Sequence, residues 1–119
     1  MAKNDDRVQS IKLTDKDTDK TYELDFNRDA VRFAEARGFQ TEDVAKYPNT
    51  KVPELFYYSF RMHHREIAKN QTDAILEKMG GVTGAALERL ILLYEQAALA
   101  NVMQTEEDAA KNSKVTMEL

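Results

Sequence analysis

Between Thr21 and Phe39 the spacing of apolar positions changes once, and the rest of the chain is organised around that change. Tyr22, Leu24 and Phe26 alternate with Glu23 and Asp25, the period of two that a half-buried strand requires. Ala30, Val31, Phe33 and Ala34 then lie on one face at helical spacing. Asn27 suits the N-cap of that helix and Asp29 its first turn, where a carboxylate meets the positive end of the helix dipole. Gly38 suits the left-handed position that ends it. The pattern therefore predicts a strand running directly into a helix.

The flanking segments extend this picture. Arg7–Thr14 reads as a first strand, with Ile11 and Leu13 in phase and Val8 out of phase; the charged run Asp15–Lys20 connects it to the second strand, Thr21–Phe26. The two strands form a hairpin within residues 7–26. A lone hairpin is marginal in water and needs packing from a helix or another chain. Tyr22, Leu24 and Phe26 are therefore candidate self-association positions. Thr41 opens a short helical turn that Tyr47-Pro48-Asn49-Thr50 breaks. A helix is expected from Pro53 to Asn70, its stripe formed by Phe56, Phe60, His63 and Ile67 and widened by Leu55, Tyr58 and Met62. The run Leu55–Met62, LFYYSFRM, is apolar around much of the helix, which makes that helix either central to the fold or shared with a partner. Thr72 is a cap for a short helix, Asp73–Lys78, that Gly80-Gly81 ends. Thr83 caps the longest helix, with Leu87, Leu90, Ile91, Tyr94, Ala97, Ala98 and Asn101 as its inner seam and Leu92, Leu93 and Leu99 off it. This helix is expected to run to about Ala110 and to fray over the acidic Glu106–Asp108. Lys111–Leu119 reads as a flexible tail whose last five residues can add as a strand elsewhere. The predicted class is α+β, mainly α-helical. A single domain, residues 1–110, carries the N-terminal β-hairpin and four to five helices (27–110), followed by a tail, 111–119.

Composition narrows the function classes. A chain of 119 residues supports one modest core. It contains no cysteine, so disulfides, thiolate catalysis and cysteine-ligated zinc are excluded. No apolar stretch approaches the ~18 residues of a membrane span, and the N-terminus has no apolar leader, so a cytoplasmic protein is expected. A net charge of −4 disfavours a broad nucleic-acid footprint, although a local basic patch remains open.

Each candidate site has a plain structural alternative. His63 and His64 are adjacent and, on a helix, would point about 100° apart, so they do not form a two-ligand metal face. His63 with Glu66 is a weaker metal pair; otherwise His63 flanks the core and His64 is solvated. Asp15, Asp17 and Asp19 have the alternation of a calcium loop, but Lys20 stands where that loop needs glycine, which favours a solvated turn. Gly80-Gly81-Val82-Thr83-Gly84 lacks a phosphate-loop lysine and reads as an interhelical turn. Arg61, His64, Arg65 and Lys69 form a basic edge beside Tyr57 and Tyr58, a conceivable single-strand nucleic-acid surface. No nucleophile, base and orienter assemble, so no catalytic, cofactor or metal residues are assigned and an enzyme is not expected.

The segments Tyr22-Glu-Leu-Asp-Phe-Asn-Arg-Asp-Ala-Val and Ala34-Glu-Ala-Arg-Gly-Phe39 resemble the opening of the small tail assembly chaperones of long-tailed bacteriophages. There a hairpin of the form Y-x-L-x-F/Y-N precedes a helix ending E-x-x-G-F. The motif covers about eighteen residues, and the order and apolar character of the later helices are similar as architecture. The resemblance implies a non-catalytic factor in the host bacterial cytoplasm. Such a factor binds the tape measure protein, recruits major tail tube subunits, self-associates, and is in many cases also made in a frameshift-extended form. Phe56, Tyr57, Tyr58, Phe60 and Met62 are the candidate partner contacts. Two competing classes are a regulatory module binding a host protein or nucleic acid through the Arg61–Lys69 edge, and a structural tail or head–tail protein retained in the virion.

Overall fold

Residues 7–100 and 117–119 are described by the structure, a computed structural model. An antiparallel hairpin, β1 (Ile11–Asp15) and β2 (Lys20–Leu24), leads into five helices: α1 (Arg28–Ala36), α2 (Asp43–Lys46), α3 (Pro48–Tyr58), α4 (Lys69–Met79) and α5 (Gly84–Leu99). The class is α+β and mainly helical, as the apolar pattern predicts.

Pairing of Ile11 with Leu24 and Leu13 with Tyr22 puts the apolar side chains of both strands on one face, while Lys12 pairs with Glu23 and Thr14 with Thr21 on the other. Asp19 closes the turn at φ 59°, a left-handed conformation that Asp tolerates better than most residues. Phe26 lies just beyond β2 and is buried. Asn27 then caps α1, its side-chain oxygen accepting the Ala30 N–H at 2.9 Å. Gly38 (φ 82°) ends the helix, and the Phe39 N–H returns to the Ala34 carbonyl, which turns Phe39 into the core. Thr41 supplies only its carbonyl to the Val44 N–H; α2 begins after Glu42 without a side-chain cap.

The helix expected at Pro53–Asn70 is displaced. α3 starts at Pro48, the residue expected to break the chain, because proline at the first helical position loses an N–H that has no intrahelical partner anyway. Pro53 lies inside the helix, and α3 stops at Tyr58. The cause of the stop is tertiary. In the turn that follows, the Ser59 carbonyl accepts the Asp25 N–H at 3.0 Å, and His64 Nε2 accepts the Glu23 N–H at 3.0 Å. Glu23 and Asp25 alternate, so these N–H groups share one edge of the β2 segment, and the turn 59–64 serves that edge in place of a third strand. Continuing α3 would withdraw both acceptors. The Ser59 hydroxyl donates to the Phe56 carbonyl at 2.6 Å, so the buried turn leaves no side-chain polar atom unpaired among the described residues.

The second half differs in its boundaries more than in its kind. α4 begins at Lys69, so Thr72 is inside it, fully buried, with its hydroxyl donating to the Lys69 carbonyl. The Gln71 side chain reaches back to the Ala68 N–H at the helix start. Gly80 (φ 78°) ends α4 as expected, and Thr83 caps α5 by accepting the Ala86 N–H at 3.1 Å. On α5, Leu90, Tyr94 and Ala97 are buried and Leu87, Ile91 and Ala98 pack partly against the core. Leu93, expected off the seam, is fully buried, whereas Leu92 and Leu99 are exposed. The expected continuation to Ala110, Asn101 included, lies outside the described residues, as does most of the tail; Met117–Leu119 has no regular structure and is exposed.

Aromatic rings link these elements, edge to face except for the tilted Phe39–Tyr94 pair. Tyr94 of α5 meets Phe26 at 5.1 Å and Phe39 at 5.4 Å, Phe39 meets Tyr58 at 5.3 Å, and Phe60 meets Phe56 at 5.1 Å and Tyr22 at 5.4 Å. Such contacts add about 0.5–1.5 kcal/mol each beyond area burial. Phe60 is therefore a core residue: Phe60→Ala should lower unfolding free energy by about 3–5 kcal/mol in denaturant titration, whereas Met62→Ala, two residues on and exposed, should stay within about 0.5 kcal/mol. Burial, together with nearby Glu35, pushes the Tyr94 phenol up to about 12. An acid group raised by folding loses its stabilising contribution as pH rises from the ordinary tyrosine range through that value. Stability should thus fall on the alkaline side, and Tyr94→Phe should flatten that limb in pH-dependent thermal melts.

Candidate functional site

Between the hairpin and α4 a groove of about 240 Å³ is lined by Leu13, Ile75 and Met79. Residues 13–17 of the hairpin form one wall, Leu13 and Thr14 included, and α4 supplies the other by presenting Ile75, Lys78 and Met79 on neighbouring turns. Its apolar lining is ringed by Asp15, Lys16, Asp17 and Lys78. Met79 is 42% exposed, a large flexible side chain at the mouth of an open cleft.

The charged rim is organised. Lys78 Nζ donates to Asp15 Oδ2 at 2.8 Å and lies 3.5 Å from Asp17 Oδ2, while Asp15 Oδ1 accepts the Asp17 N–H at 3.0 Å. Two of the three alternating aspartates, Asp15 and Asp17, thus hold a lysine of α4 and tie the hairpin to the helix, while Asp19 closes the turn. The Lys78 hydrogen bond holds the Asp15 carboxyl below the usual carboxylate range, and Asp15 in turn raises Lys78.

The candidate partner contacts fall in different environments. Phe56, Tyr58 and Phe60 are buried in the chain's own core, Tyr57 is half-buried, and Met62 is 37% exposed. Of these five, only Met62 presents substantial side-chain surface. Of the candidate self-association positions, Leu24 and Phe26 are buried and Tyr22 is half-buried, in edge contact with His64 and Phe60. The helices of the same chain thus supply the packing that the hairpin requires.

The histidines exchange the places expected of them. His64 is half-buried under Tyr22 and accepts from the β2 backbone, whereas His63 is the outer residue, its Nε2 3.7 Å from Glu23 Oε2 rather than beside Glu66. Glu23, Asp25 and His63 bring one ligand atom each within 4.8 Å of one another. Two carboxylates and an imidazole are a donor set that suits a divalent transition metal. Glu23 Oε2, however, already accepts from the Ser10 hydroxyl at 2.8 Å, and Lys12 stands opposite Glu23 in the sheet. The alternation of Glu23 with Asp25 was visible in the sequence; its approach to His63 depends on the turn after α3.

The basic edge is largely matched within the chain. Arg61 and Arg65 both reach Asp29 Oδ2, at 3.2 and 3.0 Å, Lys69 pairs with Asp73, and the Arg37 and Arg61 guanidinium groups lie 3.7 and 3.8 Å from the centre of the Phe33 ring.

Linkage assigns the rim a pH window. The Asp15 contribution is complete above about pH 4 and is lost as pH falls through its depressed folded-state value. The Lys78 contribution is complete below the ordinary lysine range and is lost as pH rises through its raised value. Backbone chemical shifts of residues 15–19 and 78 should therefore move together in acid, and Lys78→Gln should abolish the coupled change while leaving α5 signals in place.

No curated protein and no solved structure matches the chain. No helix of the described residues is long and apolar enough to cross a membrane. A family model for a domain of unknown function matches residues 1–119 from end to end, and the chain belongs to that family, DUF5055.

Proposed function

We propose that the protein acts by binding and performs no chemistry, as a tail assembly chaperone of long-tailed bacteriophages in the cytoplasm of the infected bacterium. In this role it binds the tape measure protein and recruits major tail tube subunits. The observation that carries the proposal is the hairpin–α4 groove: Leu13, Ile75 and Met79 offer an apolar seat large enough for one or two side chains, rimmed by both signs of charge. A partner helix inserting apolar residues at i and i+3 or i+4 fits such a seat, and the charged rim fixes its direction without deep burial. That combination supports reversible coating, since a chaperone of this kind must release its helix when the tube closes around it. The stretch Tyr22–Phe39 that resembles these chaperones adds support, because its cap, helix and terminal glycine form as the motif implies. Internal pairing of Arg61, Arg65 and Lys69 weighs against the alternative of a nucleic-acid module.

The test is to tag the protein within its own gene cluster and identify what purifies with it during assembly. A long helix-rich tape measure protein and tube subunits are expected, whereas nucleic acid or a host protein alone, or recovery of the chain in purified virions, would overturn the proposal. Met79→Glu should reduce partner recovery by about ten-fold or more, as expected when burial of a methionine worth about 1.5–3 kcal/mol is lost. Circular dichroism should be unchanged, because Met79 is exposed.

A further inference from the structure

α5 carries a second apolar line on the side away from the core. Ala85, Leu92 and Leu99 follow one another at intervals of seven and all are exposed, Leu92 at 43% and Leu99 at 56%. At 100° per residue these three lie within about 20° of one direction, while Leu90, Tyr94 and Ala97 point to the opposite side. Charge is divided across the line. Arg89 lies about 60° to one side of Leu92, and Glu88 and Glu95 lie about 40° and 60° to the other. All three are exposed, and none takes part in a salt bridge among the described residues, although Asp29, Asp73 and Lys78 on other elements are paired.

We propose that this face pairs with the same face of a second copy of the chain, with the two α5 helices parallel. The charge pattern selects both the partner and its direction. A two-fold axis parallel to the helices sets the arginine side of each copy against the glutamate side of the other, so that Arg89 faces Glu88 between the Ala85 and Leu92 layers and stands about 9 Å along the axis from Glu95. An antiparallel pair would instead set arginine beside arginine and glutamate beside glutamate, a like-charge arrangement that costs stability. Three layers bury well under the ~1,600 Å² of a standard interface, so the pair is weak and concentration-dependent. The pairing uses a face separate from the groove, so variants of α5 and of Met79 test the two proposals separately.

The natural absence of cysteine makes the geometry directly testable. A disulfide needs Cα atoms about 4.4–6.8 Å apart. In a parallel pair Ala85→Cys and Leu99→Cys should therefore each cross-link to themselves on mild oxidation, about ten-fold faster than the exposed reference Lys46→Cys. Sedimentation of the unmodified chain should show a monomer–dimer equilibrium through the micromolar to millimolar range that Leu92→Glu abolishes without loss of helicity. Arg89→Glu and the double variant Glu88→Arg/Glu95→Arg should each be monomeric alone and associate when mixed. A mixed 85–99 disulfide as the main product would overturn the parallel arrangement. A chain that stays monomeric at the highest concentration, or a Leu99→Cys thiol that cross-links no faster than Lys46→Cys, would overturn the pairing.

Discussion

The unpaired edge of β2 is the constraint on which the rest of this structure depends. A two-stranded sheet leaves one row of N–H groups on each outer side, and a buried N–H without an acceptor costs about 1–3 kcal/mol. Here the Glu23 and Asp25 N–H groups find His64 Nε2 and the Ser59 carbonyl. Meeting that need determines where α3 ends, which in turn swings Phe60 inward beneath Tyr22 and against Phe56. A backbone requirement in the hairpin thereby decides how the middle of the helical layer is packed.

Much local chemistry was legible in the sequence, although Thr41 and Thr72 cap no helix and Pro48 begins one; chemistry that depends on distant groups was not. Asn27, Thr83, Gly38 and Gly80 act through hydrogen bonds or φ values within a few residues, and each does what its type and position suggest. The alternation of Tyr22, Leu24 and Phe26 likewise identifies the face that meets the core. The run Leu55–Met62, by contrast, has helical spacing throughout, and nothing in it announces that Ser59 will surrender its place in a helix to an N–H 34 residues earlier. Reading that run as one helix gave the histidines their wrong positions and left the aromatics in an ambiguous state between core and contact surface. Leu93 was misplaced for a related reason: α5 packs against α1 and α3 at once, so its buried arc is wider than one seam. The groove between Leu13 and Ile75 had no sequence signal, since its walls meet only through tertiary folding.

Charge is used economically in the described part of the chain. Asp29 serves the positive end of α1 and also receives two arginines from the turn after α3. Phe33 receives two guanidinium groups, and Asp15 and Asp17 of the hairpin hold Lys78. Side chains that read in sequence as a basic edge and an acidic turn become, in the fold, struts between elements. Among the described residues, large apolar side chains emerge at Tyr47 and Met62 as well as at Met79 and along the outer line of α5.

The contact between Glu23 and His64 also bears on the order in which the chain folds. It joins residues 41 apart, and closing a loop of that length costs about 2 kcal/mol more entropy than closing a five-residue hairpin. The hairpin can begin to pair early but gains its edge partners only after α3 and its turn have formed. Its commitment is therefore late, and in the native state the hairpin and the turn should open as one cooperative unit. A nascent chain emerging from the ribosome would expose the β2 edge until α3 and its turn had emerged, and the short, charge-flanked strands suit that interval because they offer little for another chain to extend.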